Sequence, residues 1–490
     1  MALPVITVAQ MRQWEGATWA AGIKPADVIA TAGQCVARAA LRLTRAGERI
    51  LILAGKGHNG DDARAAASGL GERTVEIISV LDPRAAREVF LRQIQADSTV
   101  KPVPKPALLI DGIFGIGLNR PLDSEWIALF AALNESGLPI LAIDVPSGVN
   151  ADTGEVRGAA LHAAVTLTLG APKIGLVQAR AAAFVGRLEV AANLGLLPCG
   201  LHSDLHWTQA ADFAAFPPRR PVAGHKGTFG HVGILAGSLG YHGAAVLAAR
   251  AASRAMPGLV TLFTAEDVFT PVAVQLQNVM VHPGRPSFVE LHDYSAVMVG
   301  PGLADEKLAG DLRELIAEIW HNLDRPVIAD ASALDWLPAG ATTTTALRVI
   351  TPHPGEAARM LRVTSAEIQR DRVSAVRGLS ARFGNCHVVL KGPQTLVGRA
   401  NELFPGNAAE GVAASIFLNS SGNPQLAQGG SGDLLAGYLG GLLAQPALQA
   451  CASETIRYAV WQHGAAADDL SARRRAWTIE ELIPLLGLLP

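Results

Sequence analysis

The chain alternates short apolar runs of strand length with stretches of helical periodicity, and both halves do so. In the first half the strand-like runs are 49–54 (Arg-Ile-Leu-Ile-Leu-Ala), 74–80, 107–111, 139–144 and 164–169, with helices between them, as at 62–70 and 123–136. In the second half the runs are 231–236, 259–264, 296–300, 326–329, 347–351 and 387–391. Helices are predicted there at 243–255, 305–321, 355–361, 365–383, 432–444 and 453–470. Alternation of this kind makes both halves α/β and implies a parallel sheet covered on both faces, with ligands at the carboxyl ends of strands. In both halves the residues of unusual chemistry stand just after strands.

The division falls near residue 210. Residues 200–224 carry Pro217, Pro218 and Pro221, a poor stretch for a regular element and a fair one for a connection. The expected domains are therefore 1–210 and 225–490, joined by a linker at 211–224. A length of 490 residues allows two or three domains, and 49% hydrophobic with 17% charged residues describes a soluble globular protein with ample core. The many alanines and 50 glycines suit closely packed helices. A net charge of -2 with no Lys/Arg block argues against a nucleic-acid partner. Cys35, Cys199, Cys386 and Cys451 lie far apart without a CxxC pair, so neither a zinc site nor a disulfide framework is expected and the reducing cytoplasm is the default location. The N-terminus lacks the apolar core of a signal peptide, and no stretch reads as a membrane span.

Three strand ends in the first half carry oxygen ligands. The strand ending at Ala54 runs into Gly55-Lys56-Gly57-His58-Asn59-Gly60-Asp61-Asp62. This glycine-rich turn suits phosphate, but it is neither a Rossmann fingerprint, lacking the third glycine, nor a P-loop. Asp111 opens Asp-Gly-Ile-Phe-Gly-Ile-Gly-Leu, and Asp144 opens Asp-Val-Pro-Ser-Gly. Asn59, Asp111 and Ser147 thus converge at neighbouring strand ends, a set suited to a hard cation beside a ligand. Helix capping is the other reading of each acid taken singly.

In the second half, Gly429-Gly430-Ser431-Gly432-Asp433 precedes an apolar helical run. Glycines at a helix N-terminus let backbone N–H groups converge on an anion. A carboxylate beside a phosphate is awkward unless Asp433 is the base that takes a proton from the attacking hydroxyl. A helix cap with glycines for tight packing is the competing reading.

With these motifs in place, the first half resembles the YjeF N-terminal family, the epimerases of hydrated NAD(P)H. Gly55–Asp62, Asp111–Leu118 and Asp144–Gly148 stand where that family has its loops, with His58 in place of an Asn and Asp61 in place of a Gly. The second half is similar to the ribokinase-like NAD(P)HX dehydratases. The resemblance there runs through His225–Val232, Ala236–Ser238, Gly243–Ala245, Val299–Leu303, Thr351–Glu356, Leu390–Thr395 and Gly429–Asp433. The whole chain looks like the bifunctional NAD(P)H-hydrate repair family. That implies an N-terminal Rossmann-like three-layer α/β/α domain and a C-terminal ribokinase-like α/β domain.

The resemblance also implies site residues. In the first half K+ would sit at Asn59, Asp111 and Ser147. Substrate would lie along His58, Asn59, Gly60, Asp61 and Asp62 and along Gly115, Ile116, Gly117, Leu118, Asn119, Arg120 and Pro121, with Asp144 as substrate contact and catalytic acid/base. In the second half substrate contacts fall on Ala245, Gly302, His353 and Asp433, with Asp433 catalytic. The nucleotide, ADP or ATP, would lie on Lys391, Gly392, Pro393, Gln394, Thr395 and Gly432, with Mg2+ in this half; Glu356, one turn into its helix, either holds Mg2+ through water or simply favours the helix N-terminus. Ser332 stands where the family has the second acid of an Asp-Ala-Asp run. The implied partners are hydrated NADH or NADPH and ADP or ATP, with neither nucleic acid nor membrane, and a homo-oligomer is expected. The implied chemistry is epimerisation of the R and S hydrates, then phosphorylation of the S hydrate at its C6 hydroxyl and elimination of phosphate. The alternative is a small-molecule kinase of the same fold with a non-catalytic nucleotide-binding N-terminal domain. An NAD-dependent dehydrogenase is disfavoured by the missing third glycine and by the lack of an acid ending the second strand.

Overall fold

The computed structural model describes residues 2–95, 104–304, 309–400 and 415–489. The chain forms two compact units, Leu3–Ser203 and Asp204–Pro490, the latter taking in Met1–Ala2. The division lies at 203/204 rather than 210/211, and 211–224 is not simply a linker. Leu205–Thr208 is a buried strand of the C-terminal sheet. Phe213 packs edge-on to Tyr458. The prolines misled because they lie beyond a segment already anchored by apolar side chains.

In the N-terminal unit the strands are β1 (Arg49–Ala54), β2 (Thr74–Ser79), β3 (Pro106–Gly112), β4 (Ile140–Ile143), β5 (Val165–Leu169) and β6 (Arg187–Ala191). Their order is β2-β1-β3-β4-β5-β6, every pair parallel. Side chains alternate across the sheet. Ile50 and Ile52 enter one apolar cluster with helix residues Val36, Ala37 and Ala63. Leu51 and Leu53 enter the other with Phe90 and Phe130. The result is the expected three-layer α/β/α arrangement. The chain leaves β1 for β2 on one side and returns to β3 on the other, so a crevice opens at the carboxyl ends of β1 and β3.

The helix after β1 spans His58–Ala66, beginning four residues before the expected start at 62. Gly57 is its extended N-cap, and a Cβ on Gly60 would lie 2.1 Å from the Gly55 carbonyl oxygen. Glycine alone lets the first turn lie directly on the strand end, so His58 to Asp62 form that turn rather than a loop.

The C-terminal unit adds β7 (Leu205–Thr208), β8 (His231–Leu235), β9 (Leu259–Thr264), β10 (Met280–Pro283), β11 (Ala296–Val299), β12 (Val327–Ala329), β13 (Arg348–Ile350), β14 (His387–Leu390), β15 (Leu396–Gly398) and β16 (Ile416–Asn419). Their order is β7-β16-β15-β14-β13-β12-β11-β8-β9-β10. Only β15 runs antiparallel to its neighbours within this order. The strands β7, β10, β15 and β16 are not among the expected runs. The expected helix 365–383 is two, Ser365–Arg370 and Arg372–Arg382, because Asp371 leaves helical geometry and caps the second through Ser374 N–H at 2.9 Å. Of the expected helix 305–321, residues 305–308 lie outside the described residues, and the observed helix is Ala309–Asn322.

The helix carrying Asp433, Ser431–Leu443, packs on His242–Arg254. A Cβ on Gly437 would come within 2.1 Å of the Ala248 carbonyl oxygen. Ala245, Ala248, Ala249 and Ala252 opposite are fully buried. Small residues bring the two backbones together, which uses the chain's alanine and glycine and fixes the height of Asp433.

Candidate active sites

The crevice of the N-terminal unit is a cavity of about 730 Å³. His58, Asn59 and Asp62 line it from the first helical turn, Gly115 to Pro121 from the loop after β3, and Asp144 from the end of β4. Gly60 and Asp61 are not on its wall. Gly60 is taken up against the strand end, and Asp61 turns to Arg64 at 3.1 Å.

Asp111 and Ser147 bond directly, and Asn59 joins them at the Phe114 carbonyl, which Asn59 Nδ2 and Ser147 Oγ both reach. Asp111 is fully buried and accepts from Ser147 Oγ at 2.6 Å, Ser147 N at 2.8 Å and Ile113 N at 3.1 Å. Burial lifts its carboxyl to about 6 against the hydrogen bonds from Ser147 and Ile113. Asn59 Nδ2 donates to the Phe114 carbonyl at 3.0 Å, while its Oδ1 is buried without a partner among the described residues. An orphaned carbonyl oxygen beside a buried carboxyl is a donor set that fits K+.

Asp144 sits at φ +65, in the left-handed region where non-glycine residues concentrate at functional sites. Its Oδ1 lies 2.5 Å from Lys173 Nζ, and Lys173 is fully buried. Sequence reasoning missed Lys173, Glu15 and Arg12. Lys173 follows β5 in Ala171-Pro172-Lys173, and a lysine just past a strand end was the available signal. Glu15 and Arg12 reach the cavity from helix Val8–Ala20, which no local pattern connects to the other loops.

In the C-terminal unit Lys391 follows β14 and points at the start of the Ser431–Leu443 helix. Its Nζ is 2.9 Å from Asp330 Oδ1 and 3.8 Å from Glu356 Oε2. Thr351 Oγ1 donates to the same Asp330 oxygen at 2.7 Å. A Cβ on Gly432 would lie 3.1 Å from Lys391 Nζ. Asp433, in the first turn, is half-buried, and its carboxyl is raised to about 6 by burial and by Asp330, with Lys391 pulling the other way and Glu356 adding. One ammonium therefore faces three carboxylates across a gap that glycine keeps open.

The loop Gly392 to Thr395 is shaped from outside by Arg372, which sequence reading passed over. Its guanidinium donates to the Pro393 and Leu390 carbonyls. Gln394 is held at φ +50, and Thr395 Oγ1 closes onto the Gly392 carbonyl at 3.1 Å. Gly302, at φ +67, lies against Tyr241 and Ala244. His353 caps the helix Pro354–Leu361, its Nδ1 accepting from Gly355 N at 3.0 Å while Glu356 Oε2 accepts from His353 N at 2.7 Å. The ring is exposed, with Nε2 3.5 Å from Glu356 Oε1. Ala245 does not fit a side-chain contact with substrate: it is fully buried, under the position where Gly237 would carry a Cβ.

These features define an α/β enzyme of two units, one with a cation-ready crevice and one with an ammonium–carboxylate cluster at a glycine-capped helix. The NAD(P)H-hydrate dehydratase family matches residues 232–484, and the YjeF-related protein N-terminus family matches 25–175. The bifunctional NAD(P)H-hydrate repair enzyme of Coxiella burnetii is 32% identical over 499 residues, covering 98% of this chain and 98% of its own. That of Gloeobacter violaceus is 33% identical, covering 100% of this chain and 98% of its own. An ADP/ATP-dependent NAD(P)H-hydrate dehydratase from Bacillus subtilis, co-crystallised with ATP and Mg2+, is 30% identical over 55% of this chain and 92% of that one, with a TM-score of 0.46. The chain belongs to the bifunctional NAD(P)H-hydrate repair enzymes. No helix among the described residues is long and apolar enough to cross a membrane.

Proposed function

We infer that this chain repairs hydrated NADH and NADPH. The N-terminal unit interconverts the R and S hydrates, and the C-terminal unit dehydrates the S form at the expense of ADP or ATP. The observation that carries the second activity is Lys391 Nζ set 3.1 Å from where a Cβ on Gly432 would stand, with Asp433 next to it. Hydroxide is a poor leaving group, so the C6 hydroxyl must first be phosphorylated. Asp433 takes the hydroxyl proton, the Gly432 backbone at the helix N-terminus stabilises the transferring phosphoryl group, and Lys391 holds the donor's phosphates. The ring nitrogen lone pair then expels phosphate and the dihydropyridine reforms. His353 and Gly302 border the substrate in this reading, and residues 392–395 the nucleotide.

Mg2+ on the nucleotide would supply charge neutralisation. Glu356 would reach it through water. K+ held by Asn59, Asp111 and Ser147 would supply a fixed positive charge at the N-terminal crevice. A homo-oligomer in the reducing cytoplasm completes the reading. Sedimentation at monomer mass would remove the oligomer from it.

The test is incubation with ADP or ATP, Mg2+ and hydrated NADH. Recovery of dihydronicotinamide absorbance together with inorganic phosphate supports repair. Accumulation of a stable phosphoester would instead establish a small-molecule kinase.

A further inference from the structure

Four carboxyl groups line the N-terminal cavity: Asp123 caps the helix Ser124–Glu135 by accepting from Glu125 N and Trp126 N, and the other three, Glu15, Asp62 and Asp144, differ in their surroundings. Asp144 is held through one oxygen. Its Oδ1 receives Lys173 Nζ at 2.5 Å, Leu169 N at 3.1 Å and Thr168 Oγ1 at 3.3 Å. Lys173 spends its remaining donors on the Leu169 carbonyl at 2.6 Å and on Thr168 Oγ1 at 3.2 Å, so its charge is directed at Asp144. Asp62 is 6% exposed and, among the described residues, receives no hydrogen bond and forms no ion pair. Asp61, its neighbour, gives its charge to Arg64. Glu15 is less buried and is faced by Lys173, His58 and Arg12 as well as by Asp144.

Resting on the epimerase reading of this unit, we propose that Asp62 is the general acid and Asp144 the general base of epimerisation, with Lys173 as the positioning residue of Asp144. Asp62 passes its proton to the C6 hydroxyl, the C6–O bond breaks and water leaves. The N1 lone pair becomes the N1=C6 π bond of a planar iminium. Water adds to the opposite face, the π electrons return to N1, and Asp144 takes the proton that the incoming water loses. The proton returns to Asp62 through solvent, and the reverse reaction exchanges the two roles. One carboxylate paired with a buried ammonium and a second, buried carboxyl without a hydrogen-bond donor among the described residues give acid–base catalysis at one carbon two different groups to use. Burial, reinforced by Asp144, Asp61 and Glu15 and opposed by Lys173, holds the Asp62 carboxyl protonated up to about 8.

The experiment follows R-to-S conversion of hydrated NADH by the full chain without ADP or ATP, in heavy-oxygen water, across pH. Expected are incorporation of solvent oxygen at C6 and a rate that falls as pH rises through about 8. Asp62→Asn should lower kcat by about 100-fold with KM little changed and abolish that alkaline limb. Asp62→Glu should restore part of both, and Lys173→Arg should keep the fold while lowering kcat. An Asp62→Asn chain with wild-type kcat and an intact alkaline limb overturns the proposal, as does epimerisation without oxygen exchange. A wild-type chain that does not accelerate epimerisation overturns the reading of the unit itself, a separately recognisable result.

Discussion

Lys391 Nζ lies 2.9 Å from Asp330 Oδ1, and Asp330 is almost wholly buried at the end of its strand. The lysine therefore has two tasks, neutralising Asp330 and presenting positive charge to the gap at Gly432. Lys391→Met should lower the unfolding free energy by about 3 kcal/mol, because a buried carboxylate loses its partner. Lys391→Met with Asp330→Asn should regain much of that stability in denaturant titration without regaining dehydratase turnover.

Gly432→Ala separates stability from activity. The added Cβ would stand 3.1 Å from Lys391 Nζ and 3.6 Å from Asp330 Oδ2, in the space assigned to the phosphoryl group. In the first helical turn alanine should leave the melting temperature unchanged or slightly raised, since it gains up to about 1 kcal/mol in helix propensity. Dehydratase kcat should fall by about 100-fold.

The pH dependence of dehydration follows from Asp433. Burial and Asp330 raise its carboxyl to about 6, Lys391 opposing and Glu356 adding. A base must be ionised, so kcat should climb as pH rises through about 6 and level off above it. In Lys391→Met the charge that favours ionisation is gone, so the climb should move to higher pH. A profile that is flat across this range would remove Asp433 from the role.

Potassium should stabilise the N-terminal unit selectively. Asn59 Oδ1 is buried without a partner among the described residues, beside fully buried Asp111. KCl should raise the melting temperature more than NaCl at equal ionic strength, and Asp111→Asn should erase the difference. Differential scanning calorimetry reads both.

Arg372→Ala tests how the nucleotide loop is held. The guanidinium binds the Pro393 and Leu390 carbonyls from outside the gap. Its loss should raise the nucleotide KM by about tenfold while leaving kcat for the bound complex within a few-fold.

Much of this was legible before any coordinate. The apolar runs that announced β1 and β3 are buried on both faces, where period-2 or continuous hydrophobicity is unmistakable. Gly429 to Asp433 announced itself because glycines next to an apolar helical run have few uses. The start of the His58 helix was not legible, since Gly60 there answers to a carbonyl at Gly55 and not to helix propensity. Nor was the fate of Asp61, whose direction depends on Arg64 one turn on. His353 looked like a substrate residue, and the structure adds a capping role that its own backbone neighbours supply.

The amino-acid sequence alone determined the family, the two α/β units and the residues that end their strands, because each is encoded in a local run of residues. The tertiary structure decided the partnerships: Lys173 with Asp144 across 29 residues, Lys391 with Asp330 across 61, and Asp62 without a hydrogen-bond or ion-pair partner among the described residues. Those depend on which strand ends converge at a crevice and on how much water they exclude. Charge pairing and burial are properties of three-dimensional neighbours, and no spacing along the chain specifies them.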